Sequence, residues 1–358
     1  MRTLDQIVES VEQGKRIDFD EAATLWREAP LWRLGELACK IKQRKSGDKV
    51  FYNRNFHVEP TNVCLFECKF CSYRRSKGDE GAWSHSMEEI IATVEEKGKC
   101  GATEVHIVGG VDPEHDIYYY IEMIRRIKAV QPSLCVKAFT AVELNYMIKQ
   151  AGLRLEEGLR MLKEAGMESI PGGGAEIFAP RVRMAICPQK GSAEEWFALH
   201  DAAHRIGIDS NATMLYGHIE HIEERIDHLM RIREQQDRTG GFNAFIPLKF
   251  RSANNSLSAL GETSIVDDLR TLAMSRIILD NVPHIKAYWV MYGKQTSELA
   301  LSFGADDIDG TIDDSTKIYS MAGAADSRPR LTIAEIERMC ASAGLRAVER
   351  DTHYNEIV

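Results

Sequence analysis

After residue 46, a short run rich in β-branched and aromatic residues is followed by a longer amphipathic stretch, about eight times over. This alternation constrains the fold more than any other feature of the chain. The extended runs are 55–59, 104–108, 135–139, 168–170, 209–213, 242–246, 285–289 and a weaker one at 305–307. Between them, 86–97, 116–130, 141–149, 155–164, 192–206, 221–238, 264–279 and 294–301 carry apolar residues at helical spacing. Ser86 and Glu89 make a capping-box pattern, and a last helix is expected over 332–343 after a loop at 322–330. Strand then helix, repeated, predicts an α/β fold, a parallel (β/α)8 TIM-type barrel. Ahead of it, 18–28 and 31–44 read as helices, so residues 1–46 are expected to form a helical extension and 47–358 the barrel. No stretch rich in Pro, Gly or Ser divides the barrel.

The chemistry-bearing feature is three cysteines within eight residues: Cys64, Cys68 and Cys71, spaced C-x3-C-x2-C with Phe70 before the last. Three thiolates can hold three irons of a [4Fe–4S] cluster, whereas a fully protein-ligated cluster takes four. The fourth iron is then open to a small molecule. Structural zinc wants four ligands, usually in two pairs, and His57, His85 and Cys100 do not complete such a set. Cys39, Cys100, Cys135, Cys187 and Cys340 are scattered and read as small buried residues.

The other unusual residues fall just past the C-terminal ends of expected strands, the face on which barrel enzymes keep their chemistry. The cysteine loop follows the first strand and Gly109 and Gly110 the second, while Thr140 ends the third. Gly172, Gly173, Gly174 and Glu176 follow the fourth, Asn211 and Thr213 end the fifth ahead of His218, and Lys249 and Arg251 follow the sixth.

A net charge of −9 with no basic arm argues against nucleic acid as a partner. Arg74, Arg75 and Lys77 do gather behind the cysteines, where a solvated loop is the plain reading. No apolar run reaches 18 residues, so no membrane span is expected. The first residues lack a signal-peptide core, and the chain reads as cytoplasmic.

The cysteine loop with the glycine pair one strand later resembles the radical S-adenosylmethionine (SAM) enzymes. Stretches 59–64, 137–143, 172–178, 211–218, 241–247, 309–312 and 317–319 are similar to the menaquinone (futalosine pathway) branch, related to the deazaflavin-forming synthases. The resemblance runs from about residue 50 to 345. Runs 140–143 and 211–215 look most like the aminofutalosine synthases; the cyclic dehypoxanthinyl futalosine synthases and deazaflavin-type synthases are the alternatives within the branch. An electron-transfer or sensor protein is the non-enzyme alternative, and it would need a fourth thiolate, for which Cys100 alone is in loose range. Relatives commonly carry proline where Ser252 stands, which points to a differently shaped loop.

The resemblance implies a [4Fe–4S] cluster on Cys64, Cys68 and Cys71, SAM consumed as co-substrate, and 3-[(1-carboxyvinyl)oxy]benzoate as substrate. It also implies a low-potential electron donor such as flavodoxin or ferredoxin. Tyr73, Gly109, Gly110, Thr140, Glu176, Asn211 and Thr213 are the residues expected to hold SAM. The substrate carboxylates need cationic or hydrogen-bonding partners, for which Arg181, Arg183, His218, Lys249 and Arg251 are the expected set.

Overall fold

The computed structural model of this chain describes residues 2–312, 317–323 and 330–357. Most of the expected loop 322–330 and the side chain of Tyr319 lie outside them. Ten strands occur among the described residues: β1 (Lys49–Asn53), β2 (Asn55–Val58), β3 (Glu104–Ile107), β4 (Cys135–Ala138), β5 (Met167–Ile170), β6 (Asp209–Tyr216), β7 (Phe242–Lys249), β8 (His284–Ile285), β9 (Asp307–Gly310) and β10 (Arg346–Glu349). Strands β2 to β8 form one parallel sheet in sequence order. Helices such as Ile117–Val130, Ala141–Gln150 and Ala193–Arg205 connect them, as parallel strands require. The architecture is a partial TIM-type α/β barrel.

Closure is where the barrel departs from eight like strands. Strand β1 pairs with β9 and β10 in a separate three-stranded sheet. Strand β9 nevertheless occupies the eighth place. Asp306 N donates to Ile285 O at 3.1 Å and Ala287 N to Asp307 O at 2.7 Å on one side, and Thr311 N to Asn53 O at 3.0 Å on the other. The expected strand 285–289 is therefore short: β8 ends at Ile285, and Trp289–Tyr292 is a helical turn. Strands β1 and β10 and the helix Pro180–Ile186 are not anticipated by the sequence reading.

Register sets what faces inward. His57 pairs with His106, and His106 with Lys137, so these three side chains lie abreast on β2, β3 and β4. Successive side chains alternate faces, which puts Glu104 and His106 together on the cavity side. Helices Leu4–Glu12, Phe19–Glu28 and Leu31–Ser46 wrap the barrel's outside. Arg16 pairs with Asp237 at 2.6 Å and Asp280 at 2.9 Å, and Arg270 caps the carbonyls of Trp26 and Ala29.

Candidate active site

The segment after β2 is too irregular to satisfy its own backbone, so the surrounding barrel loops do it. Leu65 N donates to Val111 O at 2.9 Å, Lys69 N to Ile186 O at 2.8 Å, and Cys64 N to Arg75 O at 3.0 Å. Pinned this way, Cys64, Cys68 and Cys71 all line one cavity of about 320 Å³ at the mouth of the barrel. That volume lies in the usual range for small-molecule sites. Burial pushes the Cys68 thiol up to about 12, against the pull of the nearby Lys190 ammonium, and burial raises Cys71 as well. No three His, Cys, Asp or Glu side chains among the described residues are close enough to share one metal ion. Three thiols lining one cavity can each take a different iron of a cluster. Cys100, the only other thiol suggested by spacing, follows the helix Met87–Gly98 and so sits at the opposite end of the strands.

The glycine pair has a steric reason. A Cβ on Gly110 would lie 2.0 Å from Val63 O, and one on Gly109 3.0 Å from Thr61 O. Without side chains, the turn after β3 packs directly against the start of the cysteine loop. Gly172 does the same on the far side, where a Cβ would sit 2.2 Å from Asn211 O.

All the residues expected to hold SAM, namely Tyr73, Gly109, Gly110, Thr140, Glu176, Asn211 and Thr213, line the cavity. Several are already engaged. Tyr73 donates its hydroxyl to Thr61 O at 3.0 Å, and Thr213 donates to Gly172 O at 2.9 Å. Thr140 caps the helix Ala141–Gln150 in a reciprocal pair with Glu143. Glu176, at φ +47°, accepts from Lys190 at 2.6 Å. Asn211 is buried and faces the cavity with no side-chain hydrogen bond among the described residues, so its amide is available to a ligand.

The expected carboxylate-binding set divides. Arg251 lines the cavity, donating to Met291 O at 3.2 Å and Gly323 O at 2.7 Å and leaving its buried Nε without a partner. The structure does not bring the other four to the cavity lining. Arg181 is tied to Glu224 on the outside. Arg183 supports the glycine loop, donating to Ala175 O at 2.6 Å. His218 accepts from Ile219 N and faces Glu220. Lys249 reaches Asp268 and Thr263 O, both at 2.9 Å, on the outer face of β7.

Residues 58–232 match the radical SAM superfamily and residues 239–357 the CofH/MqnC C-terminal region. The chain is 43% identical to aminodeoxyfutalosine synthase of Thermus thermophilus, over 98% of this chain and 95% of that protein. It is 40% identical to the 5-amino-6-(D-ribitylamino)uracil–L-tyrosine 4-hydroxyphenyl transferase 2 of Methanosarcina mazei, over 99% and 92% respectively. The chain belongs to the radical SAM superfamily. Among solved structures, methylornithine synthase superposes with a TM-score of 0.76 at 18% identity, covering 95% of this chain and 97% of that one.

A radical SAM enzyme of this kind carries a [4Fe–4S] cluster and uses SAM, and the three cavity-facing thiols with their open fourth position fit that group. The sequence reading missed the cavity's other polar residues. Lys190 lies between the thiols and Glu176; burial works against its charge, and Cys68 and Glu176 raise its pKa nonetheless. Glu143 accepts from Gly109 N at 3.0 Å and Thr140 N at 2.7 Å, linking the turns after β3 and β4. Burial raises its carboxyl to about 7, against those hydrogen bonds. The floor holds Glu104 paired with Lys137 at 2.8 Å and Asp309 paired with Lys286 at 2.7 Å, with His106 between. Burial and the adjacent His57 push His106 down to about 3, so it is neutral. Inward alternation from Glu104 to His106 was the available signal for this floor. No helix of the described residues is long and apolar enough to cross a membrane.

Proposed function

We propose that this chain is an aminofutalosine synthase, joining the 5′-deoxyadenosyl group of SAM to 3-[(1-carboxyvinyl)oxy]benzoate to form 6-amino-6-deoxyfutalosine in menaquinone biosynthesis. The observation that carries the reading is one cavity with cluster thiols at its mouth and Arg251 in its wall, in a chain alike over nearly its whole length to a protein of that activity. Cys64, Cys68 and Cys71 would hold the cluster, whose chemistry when bound would be one-electron reduction of the SAM sulfonium to methionine and the adenosyl radical. That radical adds to the enol-ether double bond, the aryl group migrates, and the enol-ether carboxylate leaves as bicarbonate or CO2. The adduct less CO2 holds one electron more than the product, so an electron is released for each one supplied.

The chain's residues position the reactants and keep water out. Gly109 and Gly110 offer backbone to the methionine amino group, with no side chains to block its approach. Asn211 and Glu176 face the ribose and ammonium, and Tyr73, Thr140 and Thr213 complete that wall. Arg251 holds one substrate carboxylate, and the matched pairs Glu104–Lys137 and Asp309–Lys286 close the cavity floor beneath it. Leu215, Ile246, Leu248 and Phe250 supply an apolar wall without exchangeable hydrogens. The reading includes a low-potential flavodoxin or ferredoxin as donor, a cytoplasmic location, and a division into helical collar (1–46) and catalytic barrel (47–358).

The test is an anaerobic assay of reconstituted protein with SAM, dithionite and 3-[(1-carboxyvinyl)oxy]benzoate, read by mass spectrometry. The expected result is a product carrying the adenosyl group, absent in Cys68→Ala. Formation of 5′-deoxyadenosine and methionine alone would overturn the substrate assignment. The cyclic dehypoxanthinyl futalosine synthase substrate, and tyrosine with 5-amino-6-(D-ribitylamino)uracil, would then be tried.

A further inference from the structure

The cysteine loop is a partition with two faces. Its inner face lines the barrel cavity. Its outer face lines a separate depression of about 650 Å³, and Cys68 and Cys71 border both spaces. The outer wall is completed by residues 254–256, in the loop that follows β7. That loop is fastened to the cysteine loop, with Ser256 N donating to Lys69 O at 2.9 Å and Ser72 Oγ to Ala253 O at 2.6 Å.

The two spaces differ in character. The inner one is walled by barrel side chains, many of them apolar, whereas the outer one is open and mostly polar. An open polar hollow does not shield a radical from water, so it is unsuited to the chemical step. Its lining includes Lys69, Arg74 and Arg75 against one carboxylate, Glu67, in a chain of net charge −9. Arg74 lies 3.4 Å from Glu67, and Arg75 braces the carbonyls of Ser72 and Arg74. Lys69 is exposed, and its ammonium has no partner among the described residues. Two exposed apolar side chains lie on the cysteine loop and on the helix bonded to it. Leu65 is 50% exposed on the same loop, and Met184 is 66% exposed on the helix whose Ile186 carbonyl binds Lys69 N.

We propose that the outer depression is the docking seat of an acidic one-electron carrier protein, which passes its electron through the cysteine loop to the cluster. The inference rests on the cluster assignment and the donor requirement above. Lys69, Arg74 and Arg75 are its cationic anchors, and Leu65 and Met184 its apolar contacts. No bond forms or breaks in this step: the reduced carrier loses one electron and the oxidised cluster gains it. Complementary charge chiefly speeds encounter, so the effect belongs to the rate of reduction and falls with added salt.

The experiment compares reconstituted wild type, Lys69→Glu, Ser256→Glu and the distant control Lys15→Glu. Ser256→Glu adds a carboxylate at an exposed lining position without removing a side-chain contact. The probe is an acidic flavodoxin in its hydroquinone form, and the readout is the rate at which the cluster's reduced-state EPR signal appears. Both seat variants are expected to keep wild-type cluster content and dithionite-driven product formation. Their reduction by flavodoxin should slow by about tenfold or more at low salt, as for charge-steered encounters generally, while Lys15→Glu matches wild type. Seat variants that accept electrons from flavodoxin as fast as wild type would overturn the proposal, as would a wild type that flavodoxin does not reduce. Failure of the reaction reading is separately visible, as absence of adenosylated product with dithionite.

Discussion

The mouth and the floor of the cavity are both polar, yet they spend their polarity differently. At the mouth, groups are left open: three thiols, the amide of Asn211 and the Nε of Arg251. On the floor, charges arrive already matched, Glu104 with Lys137 and Asp309 with Lys286, and Arg350 reaches Asp307 at 2.7 Å behind them. Burial works to raise Glu104, but Lys137, Arg350 and Lys286 outweigh it and hold the carboxyl well below the usual range. An open group recruits a ligand, whereas a matched one fixes geometry and presents a dipole. The mouth is therefore expected to respond to mutation through binding, and the floor through stability.

The largest effect that tests this contrast is at the floor. Lys137→Met leaves Glu104 buried with only Thr352 as a side-chain hydrogen-bond partner among the described residues, and should cost about 3–5 kcal/mol in denaturant unfolding. Glu104→Leu combined with Lys137→Met should recover most of that loss; a double variant no better than the single would mean the floor pair is not acting as a unit. Next is the seam between the turns. Gly110→Ala drives a methyl into Val63 O, and about 3 kcal/mol of overpacking should appear as lower cluster occupancy in iron and sulfide analysis. Unchanged occupancy would show that the cysteine loop tolerates displacement.

Glu143 offers a pH test of similar or smaller size. Its folded-state pKa, about 7, lies above its ordinary 4.5. The stabilisation is therefore complete below about pH 4.5 and lost as pH rises through 7, by at most about 3 kcal/mol. Unfolding free energies measured from pH 5.5 to 8 should decline more in wild type than in Glu143→Gln, and parallel curves would contradict the assignment. The smallest effect is expected at the open amide. Asn211→Ala should raise the KM for SAM by about tenfold, about 1.4 kcal/mol, leaving Tm and cluster content as in wild type. A fall in Tm instead would class Asn211 with the floor.

Much of this was legible in the sequence because it is local. Strands β2 to β7 follow from apolar runs, and the cysteine loop, glycine turns and Asn211 follow from their places at strand ends. Lys249 shows what proximity alone misses. Ile246, Leu248 and Phe250 line the cavity, so a period of two sends Lys249 to the other face. Arg181 and Arg183 sit on a short helix whose direction no motif announces. The floor escaped notice because Glu104, Lys137 and Lys286 look like surface charges until register brings them together. Strand β9, with Asp307 and Asp309, has poor strand propensity; ion pairs with Lys286 and Arg350 hold it in place.

The position of β1 bears on how the chain comes together in time. Its neighbours on both sides, β9 and β10, lie more than 250 residues downstream; Lys49 pairs with Arg346 and Phe51 with Asp307. On a ribosome, the first strand made is among the last to find partners. Its exposed edge must wait while most of the chain is synthesised, open to mispairing with other chains. Contacts of such long sequence separation form slowly, so the final steps of folding coincide with sealing the barrel. Until then the cysteine loop, which hangs from the continuation of that strand, has no finished wall around it, and iron delivered before closure would meet thiols not yet in position.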